Sequence, residues 1–175
     1  FIILSIVFWK FLELTDLKII EVSSSLFSVK LFLILIFLQL IIGAFVSGLD
    51  AGKIYNTWPL MGSSYFPDDS KIIEFLNINI FDNPSVVQFV HRNLAYLILI
   101  VYLYVFYFTY MLKNKKLLKP IIFIGVVLLL QIILGVLTIL SGVKIIYASL
   151  HQINSILIIL STLYFLYISQ HKKIN

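Results

Sequence analysis

Hydrophobic residues run in long blocks along this chain, separated by short clusters of charge, turn formers and aromatics. Five apolar segments can be drawn: about 1 to 14, Lys30 to Gly48, Ser85 to Leu112, Leu117 to Leu140 and Ile145 to Ser169. The last four approach or exceed the ~20 residues that cross hydrocarbon as a helix. A span in lipid must satisfy its backbone polar groups internally, so helix is the state to expect. Pro84 and Pro120 stand close to the starts of two segments, where a missing N–H costs nothing. Asn83 precedes Pro84 as an N-cap. The predicted fold is an all-α integral membrane protein, a four-helix transmembrane bundle preceded by one partial transmembrane helix. The chain opens at Phe1 inside an apolar run, with no charged n-region before it and no small-residue cleavage site after it. Residues 1–14 are therefore read as the end of a clipped transmembrane helix, and the chain as the C-terminal portion of a longer protein.

Composition agrees. The 175 residues are 61% hydrophobic and only 12% charged, far from soluble averages. The net charge of +5 comes largely from lysines in the connections, which reads as membrane topology and excludes a nucleic-acid surface. Absence of cysteine excludes disulfides, thiolate metal sites and covalent haem attachment. The lysines set the orientation. Lys18 and Lys30 flank the connection 15–29. Lys113, Lys115, Lys116 and Lys119 mark the connection between the third and fourth segments, and Lys172 and Lys173 the tail 171–175. These face inward, to cytoplasm or matrix. The loop 49–84, with more acids than lysines, and the short connection holding Lys144 face outward. The loop is long enough to be functional. Tyr55 and Trp58 suit the interfacial belt, and 71–78 could form a short interfacial helix. The four-helix unit is expected over 30–170.

Chemistry concentrates at two histidines. His91 follows Pro84 by seven residues, and His151 follows Lys144 by seven. On the orientation above both helices start at the outer face, so the imidazoles share a depth, ~10 Å in at 1.5 Å per residue. Imidazole is a common axial ligand of haem iron. A proton relay, or a hydrogen bond between helices, are the other uses of an intramembrane histidine. The surroundings repeat: Gln39-Leu-Ile-Ile-Gly43 in one helix and Gln131-Ile-Ile-Leu-Gly135 in another each precede an outer connection and then a histidine helix. Gln39, Gly43, Ser47 and Asp50 fall on one stripe; so do Gln131, Gly135, Thr138 and Gly142. Ala148 and Ser155 flank His151, Ala95 follows His91, and small residues there leave room for a porphyrin plane or let helices pack closely. Gln39, Gln131 and Asn154 are candidates for hydrogen bonds around a ligand, as is Gln88. Arg92, the only arginine, either snorkels to the surface or pairs with a haem propionate or Asp50. His171 reads as a surface residue. Tyr102, Tyr104, Tyr107 and Tyr110 read as core or interface aromatics.

Four stretches, GAFVSGLDAGKIYNTWPLMG, VQFVHRNLAY, QIILG and LHQ, together resemble haem A synthase of the mitochondrial and alphaproteobacterial type. That family has eight transmembrane helices in two similar halves, each with a histidine pair, and oxidises a methyl of haem O to the formyl group of haem A for cytochrome oxidase. The resemblance implies that residues 30–170 are the C-terminal half, that 1–14 end the first half, and that His91 and His151 hold a b-type haem. The first half, with its own histidines and a glutamate, would act on haem O; Gln88 stands where that glutamate would be. The implied membrane is a bacterial inner (plasma) or mitochondrial inner one, with the histidines toward the periplasm or intermembrane space. The partners to expect are membrane lipid, haem O, an unidentified electron donor, and haem O synthase or a second copy of the chain. A non-catalytic membrane cytochrome b or electron-transfer subunit shares these features. A histidine-using transporter or assembly factor is a third reading.

Overall fold

A computed structural model describes residues 1–15, 27–71 and 81–169. The possible helix at 71–78, apart from Lys71, lies outside the described residues, as do Lys18, His171 and the tail lysines. The described elements are α1 (Ile2–Glu13), α2 (Phe27–Gly48), a short 3-10 turn (Ala51–Lys53), α3 (Pro84–Met111), α4 (Lys115–Leu140) and α5 (Ile145–Ile168). Four of these, α2 to α5, are long and apolar enough to span a bilayer. The only β feature among the described residues is an isolated antiparallel bridge between Met61 and Ser64. The all-α membrane bundle with a partial leading helix is what the apolar pattern predicts.

The helix starts follow capping chemistry. Asn83 Oδ1 accepts from the Ser85 and Val86 amides at 3.0 and 3.3 Å, and Pro84 takes the first helical position, where its fixed φ suits the helix. Asn114 accepts from the Lys116 amide at 3.0 Å. The cap, not the onset of apolar residues, therefore starts α4, two residues before the hydrophobic pattern does. Pro120 falls inside α4 near its start, just past the turn whose donors are free. Likewise α2 begins before Lys30, because an aliphatic stem lets a lysine sit in a first turn without ending the helix.

Sequential pairing organises the bundle. α2 packs on α3 and α4 on α5 most extensively, while α3–α4 and α2–α5 contacts join the two pairs. α1 lies on α5, with Trp9 edge-on to Tyr167 at 5.4 Å between centroids. The tightest packing lies toward the α3–α4 connection, here termed the lysine end. Phe32, Val105, Ile121, Ile124 and Leu166, from all four spans, are buried there. Many other apolar residues, among them Ile34, Leu103, Val126 and Leu129, are exposed, as expected where the surrounding solvent is hydrocarbon. Tyr102 donates to the Ile121 carbonyl at 3.1 Å and lies across Gly125, where a Cβ would come within 2.0 Å of its hydroxyl. Gly125→Ala should therefore destabilise the bundle by about 1–3 kcal/mol, an overpacking cost. Adding Tyr102→Phe should recover part of it. Unfolding in detergent micelles checks both.

The opposite end is fixed by contacts between the two helix pairs. A Cβ on Gly52, after α2, would lie 3.1 Å from Val143 Cγ2 in the α4–α5 turn. Asn56 donates to the Ile139 carbonyl at 3.1 Å. Both outer connections thus meet, and α3 and α5 start at the same end.

Candidate functional site

That end carries both histidines. Each is held by the helix preceding its own, through the repeated Gln–Gly pair. Gln39 Nε2 lies 3.2 Å from His91 Nε2 and donates to the His91 carbonyl at 3.0 Å. Gln131 Nε2 lies 3.3 Å from His151 Nε2. A Cβ on Gly43 would stand 3.2 Å from His91 Cε1, and one on Gly135 would stand 3.0 Å from His151 Cε1. Only glycine lets each ring approach the neighbouring backbone without displacement. The structure therefore brings Gln39, Gly43 and His91 together in one pair, and Gln131, Gly135 and His151 in the other.

Partner identity assigns the tautomers of the neutral rings. His151 Nδ1 is 3.1 Å from the Gln131 carbonyl oxygen, which can only accept, so Nδ1 carries the proton and Nε2 the lone pair. Asn154 donates to Gln131 Oε1 at 2.7 Å and to the Val127 carbonyl at 3.0 Å. This orients the Gln131 amide with its NH₂ toward His151. Gln39 is oriented by its bond to the His91 carbonyl, so its NH₂ faces a lone pair on His91 Nε2. His91 Nδ1 is then the protonated nitrogen, and it is buried without a partner, as is Gln39 Oε1. A buried donor left unpaired costs about 1–3 kcal/mol. Both rings thus present Nε2 lone pairs, the form that binds a metal, and only His151 has a carbonyl behind its other nitrogen.

Arg92 holds the outer loop. It is buried, and its Nη1 donates to the Thr57 and Leu60 carbonyls at 2.9 and 3.3 Å, its Nη2 to the Tyr55 carbonyl at 2.9 Å. Gln88 donates to the same Tyr55 carbonyl at 3.0 Å. Asp50 pairs instead with Lys53 at 2.8 Å, so the Arg92–Asp50 pair considered from sequence is not formed. Asp50 and Gly142 also leave their expected stripes. Both lie beyond the helix ends in left-handed conformation, φ 52° and φ 70°, because the chain is turning there. Thr138 bonds back to the Leu134 carbonyl at 2.7 Å and Ser155 to the Gln152 carbonyl at 2.6 Å.

Sequence reasoning marked the outer loop as long enough to be functional but did not foresee that Arg92 and Gln88 hold it. Residues 54–70 fold onto the start of α3. Phe66 and Tyr65 meet Phe89 edge-on, and Ser85 donates to Asp69 at 2.7 Å. Asp68 accepts from the Ser63 amide and from the Ser63 and Ser64 hydroxyls. These bonds, the Ser63 amide foremost, hold its carboxyl below the usual range. The Gly62 left-handed turn, φ 81°, brings these groups together. The signal available was Arg92 itself, since a buried guanidinium needs several acceptors and bare loop carbonyls supply them. Arg92→Lys should release the loop, because an ammonium cannot reproduce the planar fork. The loop should become several-fold more susceptible to limited proteolysis while helix content by circular dichroism is retained.

Among the described residues no group of three or more His, Cys, Asp or Glu that could hold a metal ion is found. The fold and site define a polytopic membrane bundle of two repeated helix pairs, each holding one histidine against a glutamine and a glycine. The chain belongs to the family described as cytochrome oxidase assembly protein (COX15-CtaA), whose model matches residues 1–163. It is 42% identical over 165 residues to the heme A synthase of Pelagibacter ubique (strain HTCC1062), covering 94% of this chain and 48% of that protein. It is 44% identical over 140 residues to the heme A synthase of Wolbachia pipientis wMel, covering 79% of this chain and 38% of that protein. A third relative, the heme A synthase of Rickettsia bellii (strain RML369-C), is 39% identical over 125 residues, 71% of this chain and 37% of its own length. The chain thus spans about half, or less, of the curated relatives that it matches. No solved structure matches it significantly.

Proposed function

We propose that this chain is the b-haem-binding, C-terminal half of a haem A synthase, in which His91 and His151 would hold one haem iron. The observation that carries the reading is the duplicated contact set: two neutral imidazoles at one end of the bundle, each seated on a glycine and each with an Nε2 lone pair. The residues fit the group. The glycines keep the rings where a Cβ would push them aside, and the unpartnered His91 Nδ1 and Gln39 Oε1 are buried polar atoms that the fold leaves free. Held by His91 and His151, haem would supply one-electron redox chemistry.

The chain's own residues tune that site. The His151 Nδ1 proton, held by the Gln131 carbonyl, fixes ring orientation and raises ligand basicity. His91 has no such partner, so it is the weaker donor. Asn154 holds Gln131 in register. Gln39 and Gln131 cover the Nε2 lone pairs, and coordination through Nε2 requires each amide to yield that position. Arg92 and Gln88 hold the loop at 54–61 against the start of α3, beside His91. The lysine-rich connection indicates that the lysine end faces cytoplasm or matrix, and the histidine end periplasm or intermembrane space.

In this reading the whole protein converts haem O to haem A, and oxidation of the methyl group belongs to the other half, with its own histidines and glutamate. Membrane lipid surrounds it, an electron donor serves the b-type haem, and haem O synthase or a second copy is the protein partner to look for. Pigment extraction from cells expressing the complete gene tests it. Formation of haem A together with a b-type reduced-minus-oxidised spectrum is expected. A b-type spectrum without haem A identifies a membrane cytochrome b instead, and a colourless protein from haem-replete cells defeats both.

A further inference from the structure

A separate feature lies at the lysine end, away from the histidines. Between α4 and α5 runs a groove of about 270 Å³ lined by Lys119, Pro120, Phe123, Ser161 and Tyr164. Its interior is apolar. Pro120 and Phe123 form one wall, and the Ser161 hydroxyl on the other is turned back to the Leu157 and Ile158 carbonyls at 2.6 and 3.1 Å. Lys119, exposed, stands at the mouth. Phe123 is one turn further along α4, ~6 Å deeper at 1.5 Å per residue.

Among the described residues the charge around the mouth is uncompensated. Lys115 and Lys116 lie one turn before Lys119, at the spacing that places side chains together on a helix. The first turn of α4 contains no acid. Neither of the two ion pairs found among the described residues involves these lysines. They also crowd the end of the helix where the macrodipole is already positive, which is unfavourable unless an anion is near. The occupant that satisfies both parts is anionic at one end and apolar along its length, and it approaches where α4 leaves the hydrocarbon. A free phosphate leaves the apolar groove unfilled. A zwitterionic headgroup brings its own cation against the lysines.

We propose that the α4–α5 groove is a binding site for an anionic phospholipid, its headgroup at Lys119, Lys115 and Lys116 and an acyl chain laid along Pro120, Phe123 and Tyr164. Basic pockets between spans are a recurrent form of lipid recognition. The site is independent of haem.

The test uses the protein made from its complete gene, delipidated in mild detergent. Phosphatidylglycerol or phosphatidylcholine with the same acyl chains is then titrated in, with native mass spectrometry and thermal unfolding as readouts. Phosphatidylglycerol should be retained and should raise the unfolding temperature, and phosphatidylcholine should do neither. Lys119→Gln should weaken retention about fivefold, the contribution of one lysine near an anionic surface, whereas Lys113→Gln, outside the groove, should leave it unchanged. Ser161→Leu, which fills the groove with every lysine in place, should also lose the lipid. Equal retention of the two lipids, equal losses from Lys113→Gln and Lys119→Gln, or undiminished retention in Ser161→Leu would each overturn the proposal. All three variants alter positions outside the fully buried core, and their unfolding curves without lipid report any loss of fold directly.

Discussion

Replacing either His91 or His151 with alanine should strip the proposed b-type haem from the protein. On the proposed ligation each imidazole would hold the iron, and among the described residues no group of three or more His, Cys, Asp or Glu offers a replacement. Loss of a hydrogen-bonding partner behind a metal ligand already costs roughly 10- to 100-fold in affinity; loss of the ligand itself should cost at least about 100-fold. The two variants should differ in what remains. His91→Ala leaves His151, whose Nδ1 is held by the Gln131 carbonyl at 3.1 Å, so residual five-coordinate haem should persist better there than in His151→Ala. Exogenous imidazole should restore part of the low-spin spectrum in both, because it fills the space that the substitution opens. A protein that keeps its full low-spin haem in the double variant would remove these residues from the ligand set.

The second large effect separates a ligand cradle from ordinary helix packing. Gly135→Ala adds one carbon 3.0 Å from His151 Cε1 and 3.4 Å from His151 Nδ1. The ring must move, and it is tied to the backbone of Gln131 one turn earlier on the same helix. A ligand displaced by ~0.5 Å is already outside productive geometry, so haem retention should fall about tenfold, the lower end of the range for support around a ligand. Gly43→Ala, with 3.2 Å to His91 Cε1, should do the same more weakly. Leucine at either position should abolish binding. Within a helix, alanine is favoured over glycine by up to about 1 kcal/mol. The haem-free alanine variants should therefore unfold no more readily than the parent while their haem affinity drops. Glycines that served only close helix packing would give the reverse: a less stable bundle with haem affinity unchanged among the molecules that remain folded.

The spans were legible in the sequence because each is set by local chemistry: an apolar run, a cap at Asn83, charged breaks. Where the structure differs, a local feature outweighed the pattern. Asn114 starts α4 ahead of the apolar residues. The Gln–Gly–His relation was legible as a repeat, since Gln39 and Gly43, like Gln131 and Gly135, are one turn apart and must share a face. Which atoms meet was not legible. Tautomers depend on the Gln131 carbonyl and on Asn154, contacts between helices that periodicity cannot specify. Arg92 shows the same limit more sharply. Its position beside His91 drew attention to a propionate or to Asp50. In the fold its donors go to the Tyr55, Thr57 and Leu60 carbonyls, because the loop returns over the start of α3. Nothing in the order of residues announces that return, which depends on the Gly62 turn and the Asp68 bonds acting together.

Low-temperature electron paramagnetic resonance of the oxidised protein, purified from haem-replete cells carrying the complete gene, bears most directly on whether two rings share one iron. A low-spin ferric signal of the bis-imidazole type should be present, and it should vanish in His91→Ala and in His151→Ala alike. A high-spin signal alone in the parent protein, or a low-spin signal that survives either substitution, would contradict the assignment.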